Sequence, residues 1–390
     1  MSGAALWRSL PPVGDAIHLR RNRGARAAGM PGRPAVYLRS GTEALALLLQ
    51  AIARRARAAG SQALEVALPA YGCPDIVSAV AHAGLRARLV DLAPDSPFPA
   101  AEAWRAAAAQ RPVALMTVGF LGLRDPFTPA DAYAAGLAPG AALEDCCQVH
   151  PMAGLDDQGQ SFALSFGRGK PVSLMHGGAA LVSGELADWL PPVGSAGAEW
   201  AGFARLALTT RLYNVLRSPR AYGWATRLPG IGLGDTRYEP LTAIEPMNSH
   251  VLECLDARMG WGDAHRRALQ TRLRDTLAGL SVKVLAADLW RTQGRGTEWL
   301  LRYPLLLASR ELRDAACARL NAAGLGASPM YGRPLDDFEG IDAALTSRGP
   351  LPHARSFADR LLTLPLHADV RDRDSDAVGA VLKDLEGRGR

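Results

Sequence analysis

The sequence predicts an α/β protein: a large domain with a mostly parallel sheet covered by helices on both faces, followed by a smaller α+β unit. Three observations carry this expectation. Short apolar runs alternate with helical patterns from about residue 35 to 190, the spacing of units that wrap a parallel sheet. A second and shorter set of strand and helix patterns follows residue 280. Hydrophobic residues make up 48% of the 390 positions, ample for a large core and for two or three domains. The expected boundaries are an N-terminal arm over 1–29, a large domain over 30–247 and a small domain over 248–390.

The elements follow in order. A helix opens near Ser40–Thr42 and stops at Gly60, with a hydroxyl at its start and a glycine past its end. LEVALP (64–69) reads as a buried strand, PDIVSAVAHAG (74–84) as a helix and RARLVDL (86–92) as a strand. A helix near 100–109, the strand PVALMTV (112–118), a short helix at 129–135 and the strand ALEDC (142–146) come next. SFALSF (161–166) and GAALVS (178–183) are two further strands. Prolines 191, 192, 219 and 229 break the helical fragments of 185–247. A long helix over about 248–280 is expected to link the domains. Strands near 298–307 and 361–366 and helices at 310–323 and 374–386 complete the small unit. No internal repeat or low-complexity tract is present.

The charge of +6 resembles a nucleic-acid signal, but basic residues are interleaved with acids along the chain. LRRNRGAR at 19–26, the densest basic patch, reads as a solvated edge or a phosphate-facing arm rather than a DNA-binding stripe. No nucleic-acid partner is expected. The five cysteines, at 73, 146, 147, 254 and 317, have neither metal-ligand spacing nor a disulfide ladder. The pair at 146–147 reads as small apolar packing on a buried strand. No apolar run reaches the length of a membrane span, and no secretory leader precedes the charges at 19–22. A reduced, cytoplasmic setting is expected, with no bound metal and no membrane partner.

Of the 44 basic residues only three are lysines, at 170, 283 and 383. Lys170 sits in SFGRGK beside Gly167 and Gly169. An amine can lose its proton and attack a carbonyl, which a guanidinium cannot do. Schiff-base chemistry is the candidate role, with a surface lysine as the alternative. Three other strings fit that chemistry. Ser40–Gly41–Thr42 opens a helix, where free N–H groups attract an anion such as a phosphate; a plain N-cap is the other reading. Glu144 and Asp145 end an apolar strand, at the sheet edge where α/β proteins bind ligands, or else cap a turn. Gly177–Gly178 after Met175–His176 permits a close approach of chain and ligand, or merely starts a strand. GIGLG at 230–234 lacks a preceding strand and the third glycine, and is read as a loop.

Taken together, SGTEAL (40–45), LPAYGCPDIVSAVAHAG (68–84), LEDCCQVH (143–150), SFALSFGRGK (161–170), HGGAALVS (176–183) and TLPLHADV (363–370) resemble the DegT/DnrJ/StrS family of sugar aminotransferases. These enzymes depend on pyridoxal 5′-phosphate (PLP) and have the three-layer α/β/α fold type I. The likeness is closest over residues 35–190. It implies that Lys170 bonds the cofactor aldehyde and later shuttles a proton. It implies that Asp145 pairs with the pyridine nitrogen, that Gln148 bonds the 3-oxygen, and that Gly41, Thr42 and Ser165 hold the phosphate. It further implies a homodimer with the active site at the subunit interface.

Two departures stand out. Gly72–Cys73 replaces the aromatic that the family stacks on the ring, leaving Tyr71 or Cys73 for that role, with a half-buried packing tyrosine as the other reading of Tyr71. The asparagine that the family takes from the second subunit has no clear match, Asn214 and Asn248 being the nearest. His150, Tyr331 and Arg333 are further candidates for facing substrate, against the readings of a satisfied histidine, a packing tyrosine and an exposed arginine. The expected reaction moves an amino group from an amino acid, glutamate, to a keto-sugar, nucleotide-linked. Dehydratase-like PLP chemistry and a non-catalytic PLP-binding regulator are the alternatives.

Overall fold

The computed structural model describes residues 8–22, 34–62, 64–151, 155, 159–195, 197–226, 236–255, 258–259, 264–285, 299–346 and 349–388. The loop at 230–234 lies outside them. The large unit runs β1 (Ala35–Leu38), α1 (Gly41–Ala58), β2 (Glu65–Pro69), α2 (Asp75–His82), β3 (Arg86–Val90), α3 (Ala101–Ala109), β4 (Ala114–Val118), α4 (Pro129–Ala134), β5 (Ala142–Asp145), β6 (Ser161–Ser165), β7 (Gly178–Leu181) and α5 (Gly184–Ala187). Its seven strands form one sheet in the order β1-β7-β6-β5-β4-β2-β3. β2 to β6 pair in parallel, while β7 is antiparallel to both β6 and β1.

Register aligns the strand ends that matter. Val118 on β4 faces Asp145 on β5, which faces Ala163 on β6. Ser165 and Leu38 both face Gly178, where β7 begins. The residues after β1, β4, β5 and β6 therefore emerge at one carboxyl edge, where an open α/β sheet binds ligands. α1 is buried almost all round, with Leu45, Leu47, Leu48, Leu49 and Ile52 at most 2% exposed. A helix apolar on all sides must be covered on all sides, and α1 packs against α2, β6 and β7. Burial of five such side chains contributes on the order of 10 kcal/mol before entropy is set against it. α1 thus fixes its own N-terminus against the sheet edge.

α6 (Trp200–Leu216) and α7 (Pro219–Ala225) follow, then α8 (Ser249–Leu252), α9 (Ala264–Thr276), β8 (Lys283–Val284), β9 (Arg302–Leu306), α10 (Arg310–Ala322), α11 (Pro352–Arg360), β10 (Leu361–Pro365) and α12 (Asp372–Arg388). β10-β9-β8 form an antiparallel sheet. The linking helix expected over 248–280 is not continuous: α8 ends at Leu252 and α9 begins at Ala264. Gly260 and Gly262 lie between them, and each disfavours helix by about 1 kcal/mol.

Residues 8–17 form a strap across the smaller unit. Arg8 pairs with Asp374, Leu10 N–H donates to Gly324 O, and Asp15 pairs with Arg266. Asn214 on α6 closes the strap by bonding both N–H and C=O of Ile17. Residues 335–345 cross back in the other direction, with Leu335, Phe338 and Ile341 packed into the core of the large sheet. Among the described residues no helix is long and apolar enough to cross a membrane.

Candidate active site

A cleft of about 370 Å³ opens at the carboxyl edge. Its lining includes Gly41, Thr42, Asp145, Gln148, Ser165 and Lys170, six of the seven residues singled out in the sequence. Fold topology explains the gathering. They lie in pairs at or just past the ends of three strands, Gly41 and Thr42 after β1, Asp145 and Gln148 at β5, and Ser165 and Lys170 at β6, and the register puts those ends side by side.

One end of the cleft is the start of α1. Ser40 is a true N-cap: its Oγ accepts from Glu43 N–H at 3.1 Å. Glu43 is buried, and its second oxygen accepts from Glu245 N–H at 2.7 Å. Gly41 lies so close to β5 and β6 that a Cβ would stand 2.6 Å from Ser165 Cβ and 2.7 Å from Cys147 Sγ. No larger residue fits there. The early N–H groups of α1 and the Ser165 hydroxyl thus face the same space, a natural seat for a dianion.

Lys170 ends a turn that is pinned on both sides. Ser173 Oγ donates to Gly167 O at 2.8 Å and accepts from Lys170 N–H at 3.1 Å. Gly169 adopts φ +67, which only glycine takes without strain. Burial works against the Lys170 ammonium, but Cys147, Cys73, Asp145 and Asp75 outweigh it and hold its pKa above the ordinary value. The thiols of Cys147 and Cys73 are themselves pushed up by burial, Cys73 to about 12. They are neutral at pH 7, so the charge that faces Lys170 belongs to the carboxyl groups.

Asp145 accepts from Cys147 N–H at 2.9 Å. Burial raises its pKa, while that hydrogen bond and Lys170 oppose the rise. Asp75 at the start of α2 is also raised, mainly by burial, and accepts from Thr42 Oγ1 at 3.5 Å. Gln148 is fixed at both ends of its amide. Oε1 accepts from Leu121 N–H at 3.0 Å, and Nε2 donates to Tyr331 Oη at 2.7 Å. Five non-glycine residues among those described have positive φ; Met175 lines the cleft, and Leu121 and Met330 adjoin the lining residues Phe120 and Tyr331 in the chain. Strain concentrated in this way marks a site whose surroundings over-determine it.

Tyr71 is not brought to the cleft. It is 2% exposed and packs against Phe357, Tyr331 and Phe120, with ring centroids 5.0, 5.6 and 6.0 Å away. Its aromatic surface is consumed by the core, and Cys73 lines the cleft in its place. The cysteine pair divides: Cys146 is core, whereas Cys147 lines the cleft. Of the outer candidates, Tyr331 lines the cleft; His150 instead stands edge-on to Trp299 at 5.4 Å, and Arg333 lies over Phe338. Asn214 is bound to Ile17, and Asn248 caps α8. Asp75 was not anticipated. An acid at the first position of a helix that follows a buried strand, one turn past the sheet edge, is the signal that could have found it.

The sequence profile of the DegT/DnrJ/EryC1/StrS aminotransferase family matches residues 28–199 and 251–383. Among curated proteins no sequence matches the chain. Solved structures are similar in fold. Sugar aminotransferase CalS13 from Micromonospora echinospora aligns with TM-score 0.67 and 20% identity, covering 96% of this chain and 99% of its own. The PLP form of the sugar aminotransferase Spr1654 from Streptococcus pneumoniae aligns with TM-score 0.66 and 17% identity over 93% and 90%. DesI, solved with its TDP-sugar product, aligns with TM-score 0.64 and 20% identity over 98% and 94%. With a profile match across both units and this fold, the chain belongs to the DegT/DnrJ/EryC1/StrS aminotransferase family.

Proposed function

We propose that this aminotransferase uses PLP held in the carboxyl-edge cleft to move an amino group from glutamate to a nucleotide-linked keto-sugar, and that it works as a homodimer. The observation that carries the reading is Lys170, the one lysine in the cleft, set among Asp145, Asp75 and the anion seat of α1.

The residues present fit PLP. The close pass at Gly41 leaves a cradle of N–H groups and hydroxyls for its phosphate. Asp145 is a buried carboxyl group, which requires a cationic partner, and would take the protonated ring nitrogen. Gln148, oriented by Leu121 and Tyr331, would donate to the 3-oxygen. PLP when bound supplies a cationic conjugated ring that takes up the electron pair released at the donor's α-carbon.

The chain's own residues do the rest. Lys170 Nζ anchors the cofactor and moves the proton of the donor's α-carbon. Asp145, once paired with a ring nitrogen, would hold Lys170 as an ammonium less strongly, leaving Asp75 and the opposing effect of burial to set its protonation. Leu45, Ile76, Val118, Phe120 and Met175 line the cleft and keep bulk water away. DesI, crystallised with a TDP-sugar, supports a nucleotide-linked acceptor.

The homodimer is supported by a surface that this fold leaves uncovered. Six of the seven exposed large hydrophobic residues among those described lie on α6–α7: Trp200, Leu208, Leu212, Val215, Leu216 and Trp224. The profile match skips this segment, and a contiguous apolar face of this kind marks a partner surface.

The test is to add PLP to purified protein, reduce with borohydride and map the modified residue by mass spectrometry. Wild type should gain a visible absorption band that glutamate bleaches, with the reduced label on Lys170. Lys170→Ala should show neither. Labelling elsewhere, or a band that persists in Lys170→Ala, would sink the reading.

A further inference from the structure

Four formal charges line the cleft: Asp75, Asp145, Lys170 and Arg168. The first three face one another, and each appears among the causes of another's pKa shift. Arg168 stands apart. It is exposed at the mouth and has no carboxylate partner among the described residues. Several arginines elsewhere are tied down, as in Arg39 to Glu43 and Glu245, Arg124 to Glu144, Arg217 to Asp369 and Arg266 to Asp15, but none of these lines the cleft. We propose that Arg168 is the specificity residue that reads the anionic group of the substrate, a carboxylate or phosphate oxygen, at the mouth of the cleft.

The backbone presents it rigidly. Arg168 is the crest of the turn that Ser173 closes at Gly167 and Lys170. Gly169 is fixed in the left-handed region and backed by the Val13 side chain, 3.2 Å from where a Cβ would be. Pro171 stiffens the exit. The guanidinium is close enough to Tyr213 on α6 to oppose the rise that burial imposes on that phenol. Arg168 therefore stands two residues from the reacting amine, on a base that does not move with it.

The chemistry of the residue fits the task. A guanidinium is planar and always charged, and its fork matches two oxygens of a carboxylate or phosphate. The proposal rests on the aminotransferase reading, in which both substrates are anionic: the donor through its carboxylates, the acceptor through its diphosphate. Both enter by the same mouth in turn. A free cation there binds the part of the substrate that does not react and so aligns the part that does.

The experiment compares wild type with Arg168→Ala and Arg168→Lys, by calorimetric titration with glutarate and with inorganic pyrophosphate, each with and without PLP. Loss of one charge-assisted pair corresponds to about ten- to hundredfold in affinity. Arg168→Ala should weaken one probe by that factor, Arg168→Lys by less, with PLP affinity within twofold of wild type. A loss confined to glutarate assigns Arg168 to the donor carboxylate; a loss confined to pyrophosphate assigns it to the acceptor diphosphate. The KM of the corresponding substrate should rise similarly while kcat changes little. Both probes binding within twofold of wild type, or wild type binding neither, overturns the proposal. So does a loss of PLP affinity alone, which would make Arg168 a cofactor ligand. If wild type does not load PLP at Lys170, the aminotransferase reading fails on its own evidence, and the titrations without PLP still decide Arg168.

Discussion

Replacing Gly178 by alanine should damage the cofactor seat without touching any residue in it. Gly178 begins β7 and lies against the turn into α1. A Cβ there would stand 2.3 Å from Ser40 O, 2.5 Å from Ser40 C and 2.6 Å from Gly41 N. Those separations are about 1 Å short of ordinary contact, and every atom involved is backbone. Either β7 shifts from its partners β6 and β1, or the first turn of α1 moves off the sheet edge. Overpacking of this kind costs about 1–3 kcal/mol, and the upper end applies where no side chain can turn away. A displaced first turn also misaligns N–H groups aimed at the phosphate, and losing one such bond corresponds to about tenfold in affinity. Urea midpoints and PLP titration, with Gly194→Ala as a control that meets nothing within 4 Å, measure both effects. Gly178→Ala should lose about 2–3 kcal/mol and bind PLP at least tenfold more weakly, while the control stays within about 0.5 kcal/mol of wild type. If both variants behave alike, the cradle does not depend on this close pass.

Two further outcomes are expected. Asp125 is half-buried, accepts from Trp104 Nε1 at 3.0 Å and Phe127 N–H at 2.9 Å, and is raised by desolvation to about 7. Its folded pKa lies above the unfolded one, so its contribution is fully present below about pH 4 and is lost as pH rises through 7, by about 1.4 kcal/mol per unit. The stability of Asp125→Asn relative to wild type should therefore improve by about 2 kcal/mol between pH 5 and pH 7; a difference that does not change with pH refutes the assignment. Leu208→Glu with Leu212→Glu should convert a dimer to a monomer in light scattering, because both side chains are more than half exposed at the centre of the α6 face. An unchanged mass would show that the dimer, if formed, uses another surface.

Much of this architecture was readable because buried strands are written as apolar runs closed by Gly, Pro or a charge. β5 is an example: ALED carries both its burial and the carboxyl group at its end. The helix of 41–58 was equally plain, since its cap, its apolar stretch and its terminating glycine agree. Strand direction is not written in this way. Nothing in GAAL announces that β7 runs against its neighbours, yet that reversal is what brings Gly178 against Ser40. Tyr71 stayed between two readings, ring stacking and core packing, for a related reason. Its position after β2 put it at the sheet edge, but which side a ring takes there depends on Phe120, Tyr331 and Phe357, the last two more than 250 residues away. Asp75 and Tyr331 were undervalued because a helix-start acid and a loop tyrosine are ordinary until the fold sets them opposite Lys170 and Gln148.

The rarity of lysine in this chain has a physical reading once the site is assembled. A guanidinium at position 170 would pair permanently with Asp145 and Asp75, as arginines do throughout the molecule. The carboxyl groups would then be unavailable to any other cation, and no proton could leave. An ammonium in the same place is opposed by burial and favoured by the carboxylates that face it. A ligand cation that engages Asp145 satisfies the buried carboxylate and at the same time weakens one of the two carboxylate fields that favour the Lys170 ammonium. Binding and activation are thus coupled, and they require a residue whose charge can be given up. Arg168, two residues earlier and exposed, meets the opposite demand: a charge at the mouth that never changes while substrates do.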